Sequence, residues 1–208
     1  MSHAKLLSSL SLERKDFVYK IANEMHSNAV INSGNDKDYF FSLVKENKEL
    51  SENEKEFCKE NFIYDCELNN ALYKSGKPKE CNKCKSTKYS DRFCEGCISL
   101  QLQSLFTTWT SGNNIIDNFI QQCQMASSLP KHILEWIPFE QFYDIEKLTE
   151  GGFSLIYTAT WTRGSIDDYD ENKKEFFYCG ELLVALKCLN DSKEIGETFF
   201  EEVSSNII

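Results

Sequence analysis

The sequence predicts an α+β protein, with helices in the first two thirds and a mostly antiparallel sheet in the last third. Three observations carry this. Apolar residues recur at three- and four-residue spacing up to about residue 75 and again beyond residue 98, as on the inner face of helices. Two Cys-x-x-Cys pairs stand between those stretches and mark a small cysteine-pinned ribbon. From Tyr143 the apolar period changes to two, the period of strands. The expected order is a helical region over 1–75, a ribbon-like module over 76–97, a helical connector over 98–138 and a sheet-bearing domain over 139–208.

In the first region Phe17, Ile21 and Glu24 sit beside Val18 and Met25 at three- and four-residue spacing, and Phe40, Phe41, Leu43 and Val44 form a second cluster. Asn32-Ser33-Gly34-Asn35-Asp36 breaks the chain between them. Ser51 followed by Glu54 is a capping box for a third helix, with Phe57, Cys58 and Phe62 on its inner side. The region is expected to pack or dock rather than to carry chemistry.

Composition narrows the class. With 41% hydrophobic and 13% aromatic residues the chain can build a core, and a formal net charge of −10 argues against a protein that coats nucleic acid. Leu6–Leu12 is too short and too serine-rich for a secretory signal, and nothing approaches the roughly 20 apolar residues of a membrane span. A soluble intracellular, cytoplasmic protein is expected. In that reducing setting the nine cysteines read as thiols or metal ligands, and an odd number fits a disulfide framework poorly.

Cys81-Asn82-Lys83-Cys84 and Cys94-Glu95-Gly96-Cys97 are separated by nine residues, enough for a hairpin that returns one pair to the other. Four thiolates around one ion make a closed structural zinc site with no open coordination position. A redox CxxC would need a βαβ context that is absent. The flank is basic: over 74–92, Lys74, Lys77, Lys79, Lys83, Lys85, Lys88 and Arg92 oppose only Glu80 and Asp91, a local net +5. Either these residues form a phosphate-binding surface, or they offset the negative charge that four thiolates leave on a divalent ion; the acidity of the chain and the scarcity of stacking aromatics favour the second. Cys58, Cys66, Cys123, Cys179 and Cys188 read as core or surface thiols.

In the connector, Ile98, Leu102, Leu105, Phe106 and Trp109 recur at helical spacing until Thr110-Ser111-Gly112-Asn113, and Ile115, Ile116, Phe119, Ile120 and Cys123 line a second helix that Pro130 closes. The aromatic stripe at Trp136 reads as packing. Leu155–Trp161 and Leu182–Leu189 are strands, and Asp167–Glu175 between them reads as a polar loop.

Leu148-Thr149-Glu150-Gly151-Gly152-Phe153-Ser154-Leu155-Ile156-Tyr157 has the form of a strand, a glycine turn and a returning strand, whose bare backbone could approach phosphate oxygens. In Val184-Ala185-Leu186-Lys187, alternation places Ala185 and Lys187 on one face. A lysine within so apolar a strand is costly unless its ammonium meets an anion. Asp191 and Glu194 can cap a further helix running to about Ser205, on which Ile195, Phe199 and Glu202 share one stripe; Glu202 therefore points inward, with Glu201 the alternative.

This glycine loop, V-A-x-K strand and helical glutamate, in this order, resemble the protein-kinase signature. The stretch 81–208, through CNKC, FTTWTSGN, FIQ, LEWIPF, IEKLTEGGFSLIYTATW and VALKCLN, is similar to an expanded family of fungal kinase-like proteins. The resemblance implies a kinase N-lobe, an antiparallel sheet with one helix, that binds ATP. Gly151 matches the central glycine of the loop, with Leu148, Gly152 and Ser154 beside it; Ile156 and Ala185 would enclose the adenine. Lys187 would hold the α- and β-phosphates and Glu202 would fix Lys187 by an ion pair.

Two departures qualify it. Thr149 and Ser154 stand where the loop usually carries glycine. Among the 21 residues after Lys187 there is no H-R-D and no D-F-G, the motifs that orient the acceptor hydroxyl and hold Mg²⁺ in an intact kinase, so this 208-residue chain is expected to be a truncated lobe that does not itself transfer phosphate. The expected partners are ATP and a protein substrate or docking partner, with neither nucleic acid nor membrane. A non-catalytic zinc-ribbon interaction protein and a zinc-ribbon nucleic-acid binder are the alternatives.

Overall fold

The computed structural model describes residues 10–33, 37–126, 129–151 and 154–189, and among them it is α+β. Their contacts separate the chain into two compact units, with the division falling inside the cysteine segment.

The first unit is built on α1 (Leu12–Ser33), α2 (Lys37–Glu46) and α3 (Glu52–Leu72). Of the residues expected to face inward, Val18, Ile21, Met25, Phe40, Val44, Phe57, Cys58 and Phe62 are buried in one cluster, with Phe17, Phe41 and Leu43 half-buried against it. Phe40 and Phe62 stack at 4.2 Å between centroids, an offset arrangement that adds to the burial of both rings. Ser51 caps α3 as the sequence suggested: Glu54 N–H donates to the Ser51 hydroxyl and Ser51 N–H to the Glu54 carboxylate. Glu54 is itself buried, and Arg14 of α1 donates to it from Nε at 2.7 Å and Nη2 at 2.8 Å.

A two-stranded hairpin, β1 (Lys79–Glu80) with β2 (Thr87–Lys88), follows α3 in this unit. Glu67 near the end of α3 anchors the chain beyond it, accepting from the Ser90 hydroxyl at 2.7 Å and the Asp91 amide at 2.6 Å. Tyr64 meets Phe93 edge to face, 5.2 Å apart. Gly76 is required by close approach: a Cβ there would lie 1.8 Å from the Tyr89 carbonyl oxygen.

The second unit carries α4 (Glu95–Leu105) and α5 (Asn114–Ala126). α4 stops at Leu105, before the Phe106 and Trp109 that the spacing had included. The link between the helices is fixed by Asp117, which accepts from the Thr110 hydroxyl and the Ser111 amide, while the Asn113 side chain caps α5 through the Ile115 N–H at 2.9 Å. On α5 the buried positions are Ile120 and Gln124, whereas Ile115 is exposed. The polar Gln124 is tolerated inside because its amide donates to the Leu134 carbonyl at 2.7 Å.

A short 3₁₀ turn (Phe139–Gln141) then leads into β3 (Phe142–Glu150), β4 (Ser154–Trp161) and β7 (Leu182–Leu189), an antiparallel sheet in the order β3-β4-β7. Between β4 and β7 the chain forms a second antiparallel pair, β5 (Ile166–Asp170) with β6 (Glu175–Tyr178). The expected polar loop over 167–175 is thus two strands and a turn. Glu171, Lys173 and Lys174 occupy the turn, where Asp170 at the end of β5 accepts from the Asn172 and Lys173 amides, while Asp168 is buried on β5 together with Ile166 and Tyr169. Gly164 (φ +66°) lies just before this hairpin, where a Cβ would meet the Gly180 carbonyl oxygen at 2.0 Å. No helix among the described residues is long and apolar enough to cross a membrane.

Candidate metal centre

Each cysteine pair is shaped by its local backbone. Cys81 follows β1, and the chain turns so tightly that Lys85 N–H donates to the Cys81 carbonyl at 2.9 Å and Cys81 N–H to Ser86 at 2.8 Å. Lys85 takes a left-handed conformation (φ 63°) to close this knuckle. Cys94 immediately precedes α4 and Cys97 lies in its first turn, three residues on, so both thiols stand at the helix end that favours negative charge.

The four Sγ atoms lie within 4.8 Å of one another. Four thiolates each about 2.3 Å from one tetrahedral ion stand roughly 3.8 Å apart, so the cluster needs to tighten by only about an ångström. Cys81 and Cys94 are buried and Cys84 and Cys97 half-buried. The cluster can hold a metal ion. Other thiols are unlike it: burial pushes Cys58 up to about 11, and burial also raises Cys66 and Cys123, so these are neutral packing groups.

Three of the seven basic residues of the flank, Lys79, Lys83 and Lys85, pair with acids of the chain itself. Lys79 pairs with Asp91 at 2.5 Å, and this ammonium holds the Asp91 carboxyl below its usual range. Lys88 donates to the Asp91 carbonyl at 3.2 Å, and Lys85 lies 3.7 Å from Glu80. Lys83, inside the CNKC knuckle, reaches the β5–β6 turn, donating to the Glu171 carbonyl at 2.7 Å and the Asn172 side chain at 3.2 Å.

The residues singled out for nucleotide contact divide into three groups. Ile156 pairs with Lys187 and Thr158 with Ala185 across β4 and β7, so Ile156, Ala185 and Lys187 share one face of the sheet. Gly151 closes the β3–β4 turn, its N–H donating to the Ser154 carbonyl at 2.8 Å, and Leu148 stands exposed on β3. Gly152, Glu202 and the helix expected over 191–205 lie outside the described residues. The burial cost foreseen for Lys187 does not arise. It is exposed, because its face of β7 is the open one, with Ala185 exposed and Leu183 74% exposed, whereas Ala159 and Trp161 bury the opposite face of β4.

Sequence reading missed one polar constellation. Glu135 accepts from the Ile166 amide at 2.7 Å and from Arg163 Nη2 at 3.2 Å, and the Arg163 guanidinium lies 4.2 Å over the Tyr178 ring. Burial, opposed by these bonds, raises the Glu135 carboxyl above its ordinary value. The only signal in the sequence was a glutamate inside the apolar run LEWIPF. Comparison of the chain with protein-family models, with curated proteins and with solved structures returns no match.

Proposed function

We propose that the chain is the nucleotide-binding front of a protein-kinase-like protein that carries a structural zinc centre upstream. The zinc reading is carried by the four converging thiols, a donor set that suits Zn²⁺ and leaves no position for substrate. In this reading Cys81, Cys84, Cys94 and Cys97 organise the backbone around them and take no part in chemistry. The test is elemental analysis of the purified protein. One zinc per chain is expected, falling to none in a Cys81→Ser/Cys84→Ser variant; a metal-free wild-type protein that keeps its fold would overturn it.

The nucleotide reading rests on the kinase resemblance and is supported by the shared open face of Ile156, Ala185 and Lys187 beside the Gly151 turn. On that face Ile156 and Ala185 supply apolar contact for a base, and Lys187 supplies a cation within reach of its phosphates. Mg²⁺ would accompany ATP in an intact kinase. Lys187→Ala should abolish ATP binding measured by calorimetry, and unchanged affinity would sink the assignment. Zinc retained without any ATP binding by the wild-type chain would favour the interaction-protein alternative. The nucleic-acid alternative is weakened because Lys79, Lys83 and Lys85 each face a carboxylate of the chain.

A further inference from the structure

The second unit holds a pocket of about 330 Å³ whose lining includes no cysteine and no residue of β7. α4 contributes Leu102 and Leu105, and Trp109, Trp136, Phe176 and Tyr178 supply the aromatic surface. Glu135 and Arg163 form its polar end. About half of its wall is polar, with Thr108, Gln124 and Gln141 beside Glu135 and Arg163, and its volume lies within the usual small-molecule range of roughly 300–1,000 Å³.

The polar end is not saturated. Each Glu135 oxygen accepts one hydrogen bond, one from Ile166 N–H and one from Arg163, and each can accept another. Arg163 Nε is buried without an acceptor. An unmet buried donor is destabilising, so an acceptor that reached it would be held firmly. Because Nε is shielded from water, the guanidinium must turn slightly on the Tyr178 ring to present it. The two charges cancel, so an ionic ligand would have to split the Glu135–Arg163 pair, whereas a neutral one leaves it intact. Flat rings suit four aromatic side chains.

We propose that this pocket binds a neutral, planar heteroaromatic molecule through an adjacent acceptor and N–H donor, as on a lactam edge. The carbonyl accepts from Arg163, the ring N–H donates to Glu135, and the ring system lies among Trp109, Trp136, Phe176 and Tyr178. The site is independent of the nucleotide reading, since none of its residues belongs to the glycine turn or to β7.

Quinazolin-4-one, a neutral fused lactam, is the probe, followed through the tryptophan indole N–H signals of the full zinc-loaded chain by NMR. Saturable shifts at Trp109 and Trp136 are expected, with a dissociation constant of about 0.1–1 mM for a ligand of this size. The N-methylated probe, which lacks the donor, should bind at least about tenfold weaker to the same wild-type protein. Trp136→Leu and Glu135→Gln should each weaken binding, while Lys187→Ala should leave it unchanged. Absence of a saturable shift at millimolar probe, or equal affinity for the two probes, overturns the proposal. Loss of binding in Lys187→Ala would place the probe on the sheet instead and overturn it equally.

Discussion

Glu54 in the helical unit and Glu135 in the second unit are both buried carboxylates facing an arginine, and burial and pairing balance oppositely in them. Their side chains are 4% and 9% exposed, and both arginines are 38% exposed. The hydrogen bonds differ. Glu54 accepts two bonds from Arg14, one from Ser51 N–H and one from the Ser51 hydroxyl, all between 2.7 and 2.8 Å. Glu135 accepts one amide and one guanidinium bond, the latter at 3.2 Å. The Arg14 bonds dominate at Glu54 and lower its carboxyl to about 2, against the cost of burial. At Glu135 burial dominates and raises the carboxyl. Whether a buried acid is stabilising is decided by the number of donors that reach it, not by the presence of an arginine.

The largest expected effect comes from breaking the saturated pair. Glu54→Ala removes the capping box together with the Arg14 contacts, and should cost about 2–3 kcal/mol, discounted for the part of Arg14 that water already solvates. Urea unfolding followed by helical circular dichroism measures it; a loss below about 1 kcal/mol would mean the four bonds add little. The pH dependence has a definite sign. A depressed carboxyl contributes stability that is present above its unfolded value near 4.5 and lost as pH falls towards 2, so the helical unit should weaken across that interval and the Glu54→Ala variant should show a flatter profile.

Glu135 should behave in the reverse sense. Its raised carboxyl contributes stability that is present below the ordinary value and lost as pH rises through the folded one, so ionisation at neutral pH is an expense for the second unit. Glu135→Gln is therefore expected to change neutral-pH stability by no more than about 1 kcal/mol in either direction. A loss comparable with that of Glu54→Ala would erase the contrast between the units. Hydrogen exchange in α3 and in β5 reads the two regions separately.

What was legible in the sequence follows the range of each interaction. The capping box at Ser51 and Glu54 is three residues long, so it could be read directly, but the Arg14 that completes it comes from 40 residues away and could not. The cysteine spacing carried the four-thiol cluster because each pair is a local turn. The hairpin over 166–178 is hidden because Asp167, Asp168 and Asp170 stand in β5 itself, where charge outweighs the few apolar residues, although Asp168 is buried with Ile166 and Tyr169. Alternation in Val184-Ala185-Leu186-Lys187 gave the correct face-sharing, but which face is open depends on what covers the sheet, and strand period contains no information about that. Glu135 is hidden for the opposite reason: an apolar neighbourhood makes an acid that bonds Ile166 and Arg163 look like an incidental one.

Lys83 and Glu171 give the weakest member of the series. The ammonium lies 3.5 Å from the Glu171 carboxylate, and its short bonds go to the Glu171 carbonyl and the Asn172 side chain. Glu171 Oε1 is buried without a hydrogen bond, so this acid, like Glu135, is under-supplied with donors. Lys83→Met retains the apolar stem and removes the ammonium. Because Lys83 is 44% exposed, the loss in global stability should stay below about 1 kcal/mol. The local effect should be larger than the global one: amides of the 171–174 turn should exchange several-fold faster, since a turn held by few bonds opens without unfolding the rest. Zinc content should remain unchanged, because Lys83 supplies no ligand atom. Faster exchange with metal retained makes Lys83 a brace between the knuckle and the β5–β6 turn; unchanged exchange would mean that the Asp170 bonds to the Asn172 and Lys173 amides hold the turn alone.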